Sequence, residues 1–224
     1  MTAAPAFGRI DAVLLDMDGT LLDTESVYVG SLFAAVADLG LAMPETFAHS
    51  LLGLPGQICM AMLQSHFGPA FDLGAFREKY EVHRTVRLRD GIPLKPGVHG
   101  LLDHLDAARI PMAVATSSSR RNAEAILAQV GLRPRFRAVV TRDDVAEAKP
   151  HPEIFLAAAA ALGARPGSCV AVEDSHVGVR SAHAAGTMVV MVPDMVGPSA
   201  EIRQMCRAVA RDLDEVRGWL TASS

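Results

Sequence analysis

The chain of 224 residues is 50% hydrophobic and 21% charged, a composition typical of a globular protein with a sizeable core. Its length fits one large domain or two small ones. The formal net charge of −4 is spread along the sequence, so nothing indicates a nucleic-acid surface, and an anionic substrate would need a local cation.

The cysteines and the apolar segments favour a protein of a reducing compartment. Cys59, Cys169 and Cys206 are scattered without CxxC spacing, as expected of small buried hydrophobes in the cytosol. The first residues lack the basic and long apolar regions of a signal peptide. The most apolar tract, residues 154–164, is shorter than the ~20 residues that span a bilayer. We therefore expect a cytoplasmic protein with no membrane partner.

The first strand-like run, residues 12–16, is followed by a long segment without any such run. Between residues 24 and 91, apolar residues instead recur at helical spacing in three places. These are Leu32, Phe33, Val36 and Leu39, then Cys59, Met62, Leu63 and His66, then Leu73, Phe76, Tyr80 and His83. We therefore predict a separate helical cap over 24–91, inserted into an α/β core formed by residues 1–23 and 92–224.

From residue 92 onward, short apolar runs alternate with helical patterns. Unbroken apolar runs are typical of strands buried on both faces of a parallel sheet, and they occur at 12–16, 111–116, 137–141, 168–173 and 187–192. Helical patterns, which we expect to close on glycine, occur at 97–108, 120–131, 151–163 and 178–186. This alternation predicts an α/β fold with a doubly wound parallel sheet.

Four acids occur at the end of the first predicted strand, in "VLLDMDGTLLDTE". Asp16 and Asp18 lie on one side of an extended stretch at the carboxyl end of the strand, where open α/β sheets bind ligands. Two hard oxygen donors suit Mg²⁺, and Gly19 allows a sharp turn that leaves N–H groups facing an anion. The motif alone fits a plain acidic turn equally well. It does not fit a calcium EF-hand loop, which needs its glycine at position six, whereas Gly19 is fourth.

Polar groups also follow the later strands. Thr116 ends "AVAT" with a hydroxyl that can hold a phosphate oxygen, and Ser117 offers a backbone N–H. Ser118 or Ser119 fits the N-cap of the next helix. Lys149 precedes a proline, which places it in extended backbone just before a helix. Each of these residues alone has an ordinary structural explanation.

A second acid pair, Glu173 and Asp174, ends a further strand at the same predicted edge. Asp16, Asp18 and Asp174 would bring three negative charges together there, to which a phosphate adds about two more. A divalent cation and Lys149 can offset this charge, whereas without them the cluster would be strongly destabilising. A carboxylate beside a hydroxyl, a lysine and a metal indicates phosphoryl transfer by covalent catalysis.

As an ordered set, these residues resemble the four signatures of the haloacid dehalogenase-like (HAD) superfamily over nearly the whole chain. The signatures are "DMDGT" at 16–20, the strand end at Thr116, Lys149 in "AKP", and "ED" at 173–174. The insertion after the first signature looks like the small helical cap of the subgroup that contains β-phosphoglucomutase, pseudouridine-5'-phosphatase and 2-deoxyglucose-6-phosphatase. The resemblance implies a Rossmann-like core and Mg²⁺ as cofactor.

The resemblance also implies roles for individual residues. Asp16 would be the nucleophile that forms an aspartyl-phosphate, and Asp18 would protonate the leaving oxygen and then activate water. The implied catalytic set is Asp16, Asp18, Thr116 and Lys149. The implied metal set is Asp16, Asp18 through its backbone carbonyl, Glu173 and Asp174. The candidates for substrate contact are Ser117, Glu25, Gly53 and Gln57.

The implied function is a Mg²⁺-dependent phosphatase of a small organic monoester, either a sugar phosphate or a nucleoside monophosphate. Asp18 argues against the metal-free dehalogenases of the superfamily, which lack a second acid. The alternative is an intramolecular phosphomutase of the β-phosphoglucomutase type. Those enzymes carry a histidine and a cap arginine where this chain has Tyr28 and Gly56, which favours simple hydrolysis. A phospho-accepting receiver domain fits poorly, because its acid pair precedes a central nucleophilic aspartate in a shorter, uninterrupted chain.

Overall fold

A six-stranded parallel sheet forms the centre of the larger part of the chain. The computed structural model describes residue 5 and residues 7–51 and 56–221. The strands are β1 (Ala12–Leu15), β2 (Met112–Thr116), β3 (Ala138–Thr141), β4 (Cys169–Glu173), β5 (Met188–Met191) and β6 (Ala208–Val209). Their order in the sheet is β3-β2-β1-β4-β5-β6, and every neighbouring pair is parallel. The predicted doubly wound α/β fold is confirmed.

Ten helices accompany the strands within the described residues. They are α1 (Thr24–Ala37), α2 (Glu45–Ser50), α3 (Gly56–Phe67), α4 (Leu73–Asp90), α5 (Val98–Ala107), α6 (Arg120–Gln129), α7 (Glu153–Ala161), α8 (His176–Ala184), α9 (Ala200–Met205) and α10 (Leu213–Thr221). Short 3-10 turns occur at Arg133–Arg135, Arg142–Asp144 and Pro166–Ser168. None of the described helices is long and apolar enough to cross a membrane.

The five predicted strands and the four predicted helices of the sheet region are present. Helix α8 begins two residues earlier than predicted, because the Ser175 hydroxyl caps it by accepting from the backbone N–H of Gly178 at 3.0 Å. Strand β6 and helices α9 and α10 were not predicted. A strand of two half-buried residues is too short to produce a periodic pattern in the sequence.

The expectation that helices close on glycine is right for three helices and wrong for one. Gly131, Gly163 and Gly186 follow α6, α7 and α8 in the left-handed conformation, with φ of 72°, 67° and 77°. The corresponding residue after α5 is Arg109, with φ of 57°. A side chain makes this conformation costly, so the sequence gives no sign of it.

The chain divides into two compact units. The sheet unit comprises Met1–Leu22 and Pro93–Ser224, and the helical unit comprises Asp23–Ile92. In the sheet unit, α7 and α8 pack on one face of the sheet, where Leu14, Phe155 and Val179 are fully buried. The strands are therefore covered by side chains on that face, and their carboxyl ends share one edge. The assignment of the units as a catalytic core and a cap stays a prediction.

The helical unit has an apolar core of its own. Helix α1 packs against α4, and Leu32, Leu63 and Phe76 are buried between the helices. At the end of α1, the Asp38 carboxylate lies 3.0 Å from Nε2 of His83 on α4. The apolar contacts dominate the stability of this unit, because an exposed ion pair contributes little.

We expect Phe76→Ala to lower the free energy of unfolding by about 3–5 kcal/mol, because Phe76 is fully buried and its removal leaves a cavity. Urea denaturation followed by circular dichroism measures the loss. Val82→Ala is the matched control on the same helix, since Val82 is 57% exposed and should change stability little. Equal effects of the two substitutions would contradict this packing.

Candidate active site

The carboxyl ends of three adjacent strands bring the polar residues together. Asp16 follows β1, Thr116 ends β2 and Glu173 ends β4, and β1 lies between the other two in the sheet. Because all three strands run parallel, their ends meet at one edge. Lys149 reaches the same place from the loop before α7, and its peptide bond to Pro150 is cis. The sequence-predicted catalytic residues of the sheet unit thus share one site.

The Lys149 ammonium group joins the ends of these strands. Its Nζ lies 2.6 Å from Oδ1 of Asp16 and 2.6 Å from Oε1 of Glu173. It also donates to the backbone carbonyl of Ala115 at 2.9 Å, which accounts for the three donors of an ammonium group. The ring of Phe155 lies 5.0 Å from Nζ, close enough for a cation–π contact. The three side chains are almost completely buried, with exposed fractions of 4% for Lys149, 8% for Asp16 and 0% for Glu173.

Burial and charge shift the pKa values of this cluster. Burial alone would lower the pKa of Lys149, but the carboxylates of Asp16 and Glu173 raise it well above its usual value. The lysine is therefore positively charged at neutral pH. Burial raises the pKa of Asp16, and Lys149 offsets only part of this effect. Burial, together with the charges of Glu173 and Asp16, also raises the pKa of Asp174. The site thus favours an additional positive charge, either a proton or a metal ion.

Both oxygens of Glu173 are already engaged. Oε1 accepts from Lys149, and Oε2 accepts from the backbone N–H groups of Asp174 and Ser175, each at 3.2 Å, and from the Ser175 hydroxyl at 3.0 Å. A Cβ atom at Gly178 would lie 1.9 Å from the Glu173 carboxylate, so only glycine leaves room for it there. Glu173 therefore positions Lys149 and the start of α8.

Asp18 has a different environment from Asp16. Its Oδ2 accepts from the hydroxyl of Ser118 at 2.8 Å and from that of Thr116 at 3.2 Å. The backbone N–H of Ser118 donates in turn to Thr116 Oγ1 at 3.0 Å. The Asp18 carboxylate is thus held by two hydroxyl groups, away from the lysine bonds that fix Asp16.

Sequence reasoning missed the role of Ser118, which it considered only as a helix cap. Ser119 is the N-cap of α6, with its hydroxyl accepting from the N–H of Asn122 at 3.4 Å, whereas Ser118 contacts Asp18. The sequence contains no signal that separates these adjacent serines, because their roles depend on how the chain turns after β2. Ser117, the predicted phosphate contact, is exposed at the same turn.

The acids at this edge fit a small divalent cation. Asp16, Glu173 and Asp174 each present a carboxylate oxygen, and these oxygens lie within 4.8 Å of one another. The donors are all oxygen atoms, as Mg²⁺ requires. Because the oxygens of Glu173 are engaged in hydrogen bonds, Asp16 and Asp174 are the better candidates for direct contact. Binding through Asp18, by its backbone carbonyl, stays a prediction.

The loop after β1 is shaped around Asp174. The Thr20 hydroxyl donates to Oδ1 of Asp174 at 3.2 Å. Gly19 has φ of 84°, and a Cβ atom there would lie 2.4 Å from Oδ2 of Asp174. Glycine is needed at this position both for the backbone conformation and for the close approach of the carboxylate.

The predicted substrate contacts in the helical unit are less informative. Glu25 lies half-buried in the first turn of α1, and Gln57 is exposed at the start of α3. Gly53 falls outside the described residues. Substrate contact by Glu25, Gly53, Gln57 and Ser117 stays a prediction.

The helical unit contains a cavity of its own, of about 360 Å³. It is lined by Tyr28, Leu32, Gly56, Cys59, Met60, Tyr80, Glu81 and Arg84. The ring of Tyr28 packs edge-on against that of Tyr80, with 5.8 Å between centroids. Burial raises the pKa of Tyr28 well above its usual value and that of Tyr80 to about 12. Both phenols are therefore neutral at physiological pH. Tyr28 cannot replace, as a proton donor or acceptor, the histidine that the resemblance to β-phosphoglucomutases implies at its place.

Comparisons with known proteins agree with this geometry. A family model described as haloacid dehalogenase-like hydrolase matches residues 10–186. A fructose-1-phosphate phosphatase of Escherichia coli is 36% identical over 80% of this chain and 95% of its own length. A phosphorylated carbohydrates phosphatase of Thermotoga maritima is 30% identical over 79% of this chain and 82% of its own. The crystal structure of a HAD family hydrolase from Deinococcus radiodurans, with bound phosphate and sodium, has a TM-score of 0.85 at 26% identity and covers 99% of this chain and 97% of that chain.

We expect Mg²⁺ to raise the unfolding temperature more at about pH 8 than at about pH 5. The pKa values of Asp16 and Asp174 are raised on folding, so the metal-free folded state binds protons more readily than the unfolded state. The stability that these protons supply is present at acid pH and is lost as the pH rises from the ordinary aspartate value through the raised pKa. A metal ion replaces the protons, so its stabilising effect grows over the same range.

Differential scanning fluorimetry with Mg²⁺ and with EDTA, at both pH values, measures this effect. In Asp174→Asn, the effect of Mg²⁺ on the unfolding temperature should differ much less between the two pH values, since the substitution removes one of the two carboxylates proposed to contact the metal directly. A magnesium effect that is independent of pH in the unsubstituted protein would argue against a metal at these acids.

Proposed function

Since this chain belongs to the haloacid dehalogenase-like hydrolase family and is a phosphatase of small phosphate esters, we propose that it is Mg²⁺-dependent and works through a phosphorylated Asp16. The observation that carries the proposal is the buried Lys149 ammonium group between Asp16 and Glu173. A fixed cation at this point lowers the cost of bringing a phosphate next to a carboxylate nucleophile. A sugar phosphate is the favoured substrate class, because two relatives that cover most of the chain are phosphatases of fructose 1-phosphate and of phosphorylated carbohydrates.

In the first step, a carboxylate oxygen of Asp16 attacks the phosphorus atom, and the bond from phosphorus to the ester oxygen breaks. The electron pair of that bond goes to the leaving oxygen, which takes a proton from Asp18. Lys149 offers positive charge to the phosphoryl oxygens, and the Thr116 hydroxyl can donate to them in place of its bond to Asp18. Asp18 suits the proton transfer because Ser118 and Thr116 hold its carboxylate in one orientation.

In the second step, water attacks the phosphorus of the aspartyl-phosphate and gives its proton to Asp18. The bond between phosphorus and the Asp16 oxygen breaks, which releases inorganic phosphate and restores both aspartates. Asp16 and Asp174 would hold Mg²⁺, which when bound supplies positive charge against the charges of the phosphate and the carboxylates. Each residue therefore returns to its starting protonation state after one turnover.

We expect Asp16→Asn to reduce hydrolysis of p-nitrophenyl phosphate in Mg²⁺ by at least about 10³-fold, since loss of a nucleophile removes the covalent route. Steady-state kinetics measures the rate. Mass spectrometry after an acid quench should detect phosphate on the peptide that contains Asp16 in the unsubstituted protein. Asp11→Asn is the matched control, because Asp11 pairs with Arg9 outside the site. A variant at Asp16 that keeps more than a tenth of the rate would contradict the assignment of the nucleophile.

We expect incubation with a hexose phosphate to release inorganic phosphate continuously without forming the positional isomer. Transfer back to the sugar needs a second phosphate-binding group, and the neutral, half-buried Tyr28 occupies the place where the resemblance implies a histidine. A colorimetric assay measures the release of inorganic phosphate, and ³¹P NMR identifies the sugar phosphates. Together they distinguish hydrolysis from isomer formation. Isomer accumulation with little free phosphate would favour an intramolecular phosphomutase instead.

A further inference from the structure

A second cavity, of about 390 Å³, lies at the edge of the sheet opposite the acids. It is formed where the chain enters β2 and β3, and its lining includes Arg109, Arg135 and Arg137. Ile110 and Pro134 give it an apolar part. The cavity is open to solvent, since Arg109, Pro134 and Arg137 are exposed.

The charges that line this cavity are predominantly positive. Among the described residues that line it, Asp106 is the one acid, and it pairs with Arg135 at 2.6 Å. Arg135 is further paired with Asp103 at 2.9 Å. Among residues 7–51 and 56–221, neither Arg109 nor Arg137 has an ion-pair or side-chain hydrogen-bond partner. Both arginines are exposed, so the cavity presents two solvated guanidinium groups without a protein counterion, in a protein whose net charge is −4.

Arg109 also occupies a backbone position at which this chain otherwise uses glycine. The positions two residues after α6, α7 and α8 are Gly131, Gly163 and Gly186, all left-handed. After α5 the same position is Arg109, with φ of 57°. A glycine would adopt this conformation without steric conflict. The left-handed backbone therefore does not account for a side chain at this position, and the side chain that is present lines the cavity.

We propose that this cavity, which we call the arginine pocket, binds a small organic anion that carries a phosphate or carboxylate group. The planar guanidinium group of arginine offers paired donors that match both groups. The volume of about 390 Å³ is near the lower end of the range of about 300–1,000 Å³ for small-molecule sites. Ile110 and Pro134 would contact the apolar part of the ligand.

The arginine pocket is separate from the candidate active site and does not depend on its proposed function. Strand β2 has Met112 in the pocket and Thr116 at the other end, among the acids. At the rise of a parallel strand, the two ends are about 13 Å apart. An anion can therefore occupy the arginine pocket while the catalytic edge is free or filled.

Amide chemical shifts in ¹H–¹⁵N NMR spectra of the chain with Mg²⁺ can locate the two sites separately. We expect succinate and inorganic phosphate to shift the amides of Ile110, Met112, Phe136 and Arg137 in a saturable manner. Phosphate should also shift Thr116 and Ser117, whereas succinate should affect mainly the arginine pocket. Comparison of the two ligands shows whether the pocket prefers a phosphate or a carboxylate.

Two substitutions test the arginine residues. Arg109→Gly and Arg137→Gln should each weaken the response of the pocket amides at least tenfold and leave the response of Thr116 to phosphate unchanged. Arg109→Gly should also leave the unfolding temperature unchanged or raise it, since the left-handed backbone then carries no side chain. Arg137→Gln removes a cation without altering a backbone preference, so it tests binding even if Arg109→Gly disturbs the loop.

Arg203→Gln is the control for loss of charge alone, because Arg203 is exposed on α9 away from the pocket. It should leave all the responses unchanged. The proposal is overturned if the pocket amides do not respond to either anion, if their response survives in Arg109→Gly and Arg137→Gln, or if Arg203→Gln weakens it equally.

Discussion

The sheet unit depends on one buried ammonium group. Lys149 lies between carboxylates at the ends of β1 and β4, which are neighbouring strands. Two buried carboxylates this close would repel strongly without a cation, and the cost of removing one partner of such a cluster is about 3–5 kcal/mol. The loop before α7 is therefore fixed to the edge of the sheet by charge, and Asp16, the proposed nucleophile, is held in the same contact. Structural stability and the candidate chemistry rest on the same three side chains.

The acids around Lys149 differ because their partners differ. Both oxygens of Glu173 are engaged by the lysine and by the start of α8, so Glu173 positions other groups. Asp18 is held by hydroxyl groups, which can follow a change in its protonation by rotating. Asp16 and Asp174 keep oxygens available for a substrate or a metal. Carboxylate groups of the same chemical type thus differ in what they can do because their neighbours differ, as expected where several carboxylates share a site.

The convergence of Asp16, Thr116 and Glu173 could be predicted because a parallel sheet determines where its strands end. Once the buried strands are recognised in the sequence, this convergence follows without knowledge of side-chain positions. The distinction between Ser118 and Ser119 could not be predicted, since it depends on the direction of one turn after β2. Arg109 could not be predicted either, because propensity favours glycine at a left-handed position. Contacts of Gln57 with a substrate depend on side-chain positions that helical spacing does not fix.

The edge of the sheet at the carboxyl ends of the strands carries acids, and the opposite edge carries the arginines of the arginine pocket. Dissolved salt screens the charges of one edge from those of the other. Each strand of a parallel sheet contributes its carboxyl end to one edge and its amino end to the other. Strand β2 therefore ends at Thr116 among the acids and begins at Met112 in the arginine pocket. Screening at physiological ionic strength acts over about 8 Å, less than the length of that strand. An anion near Arg109 therefore responds mainly to the local arginines. At the acidic edge, the local field likewise depends on the buried Lys149 ammonium group more than on the net charge of −4, and it is there that we propose phosphate and Mg²⁺ to bind.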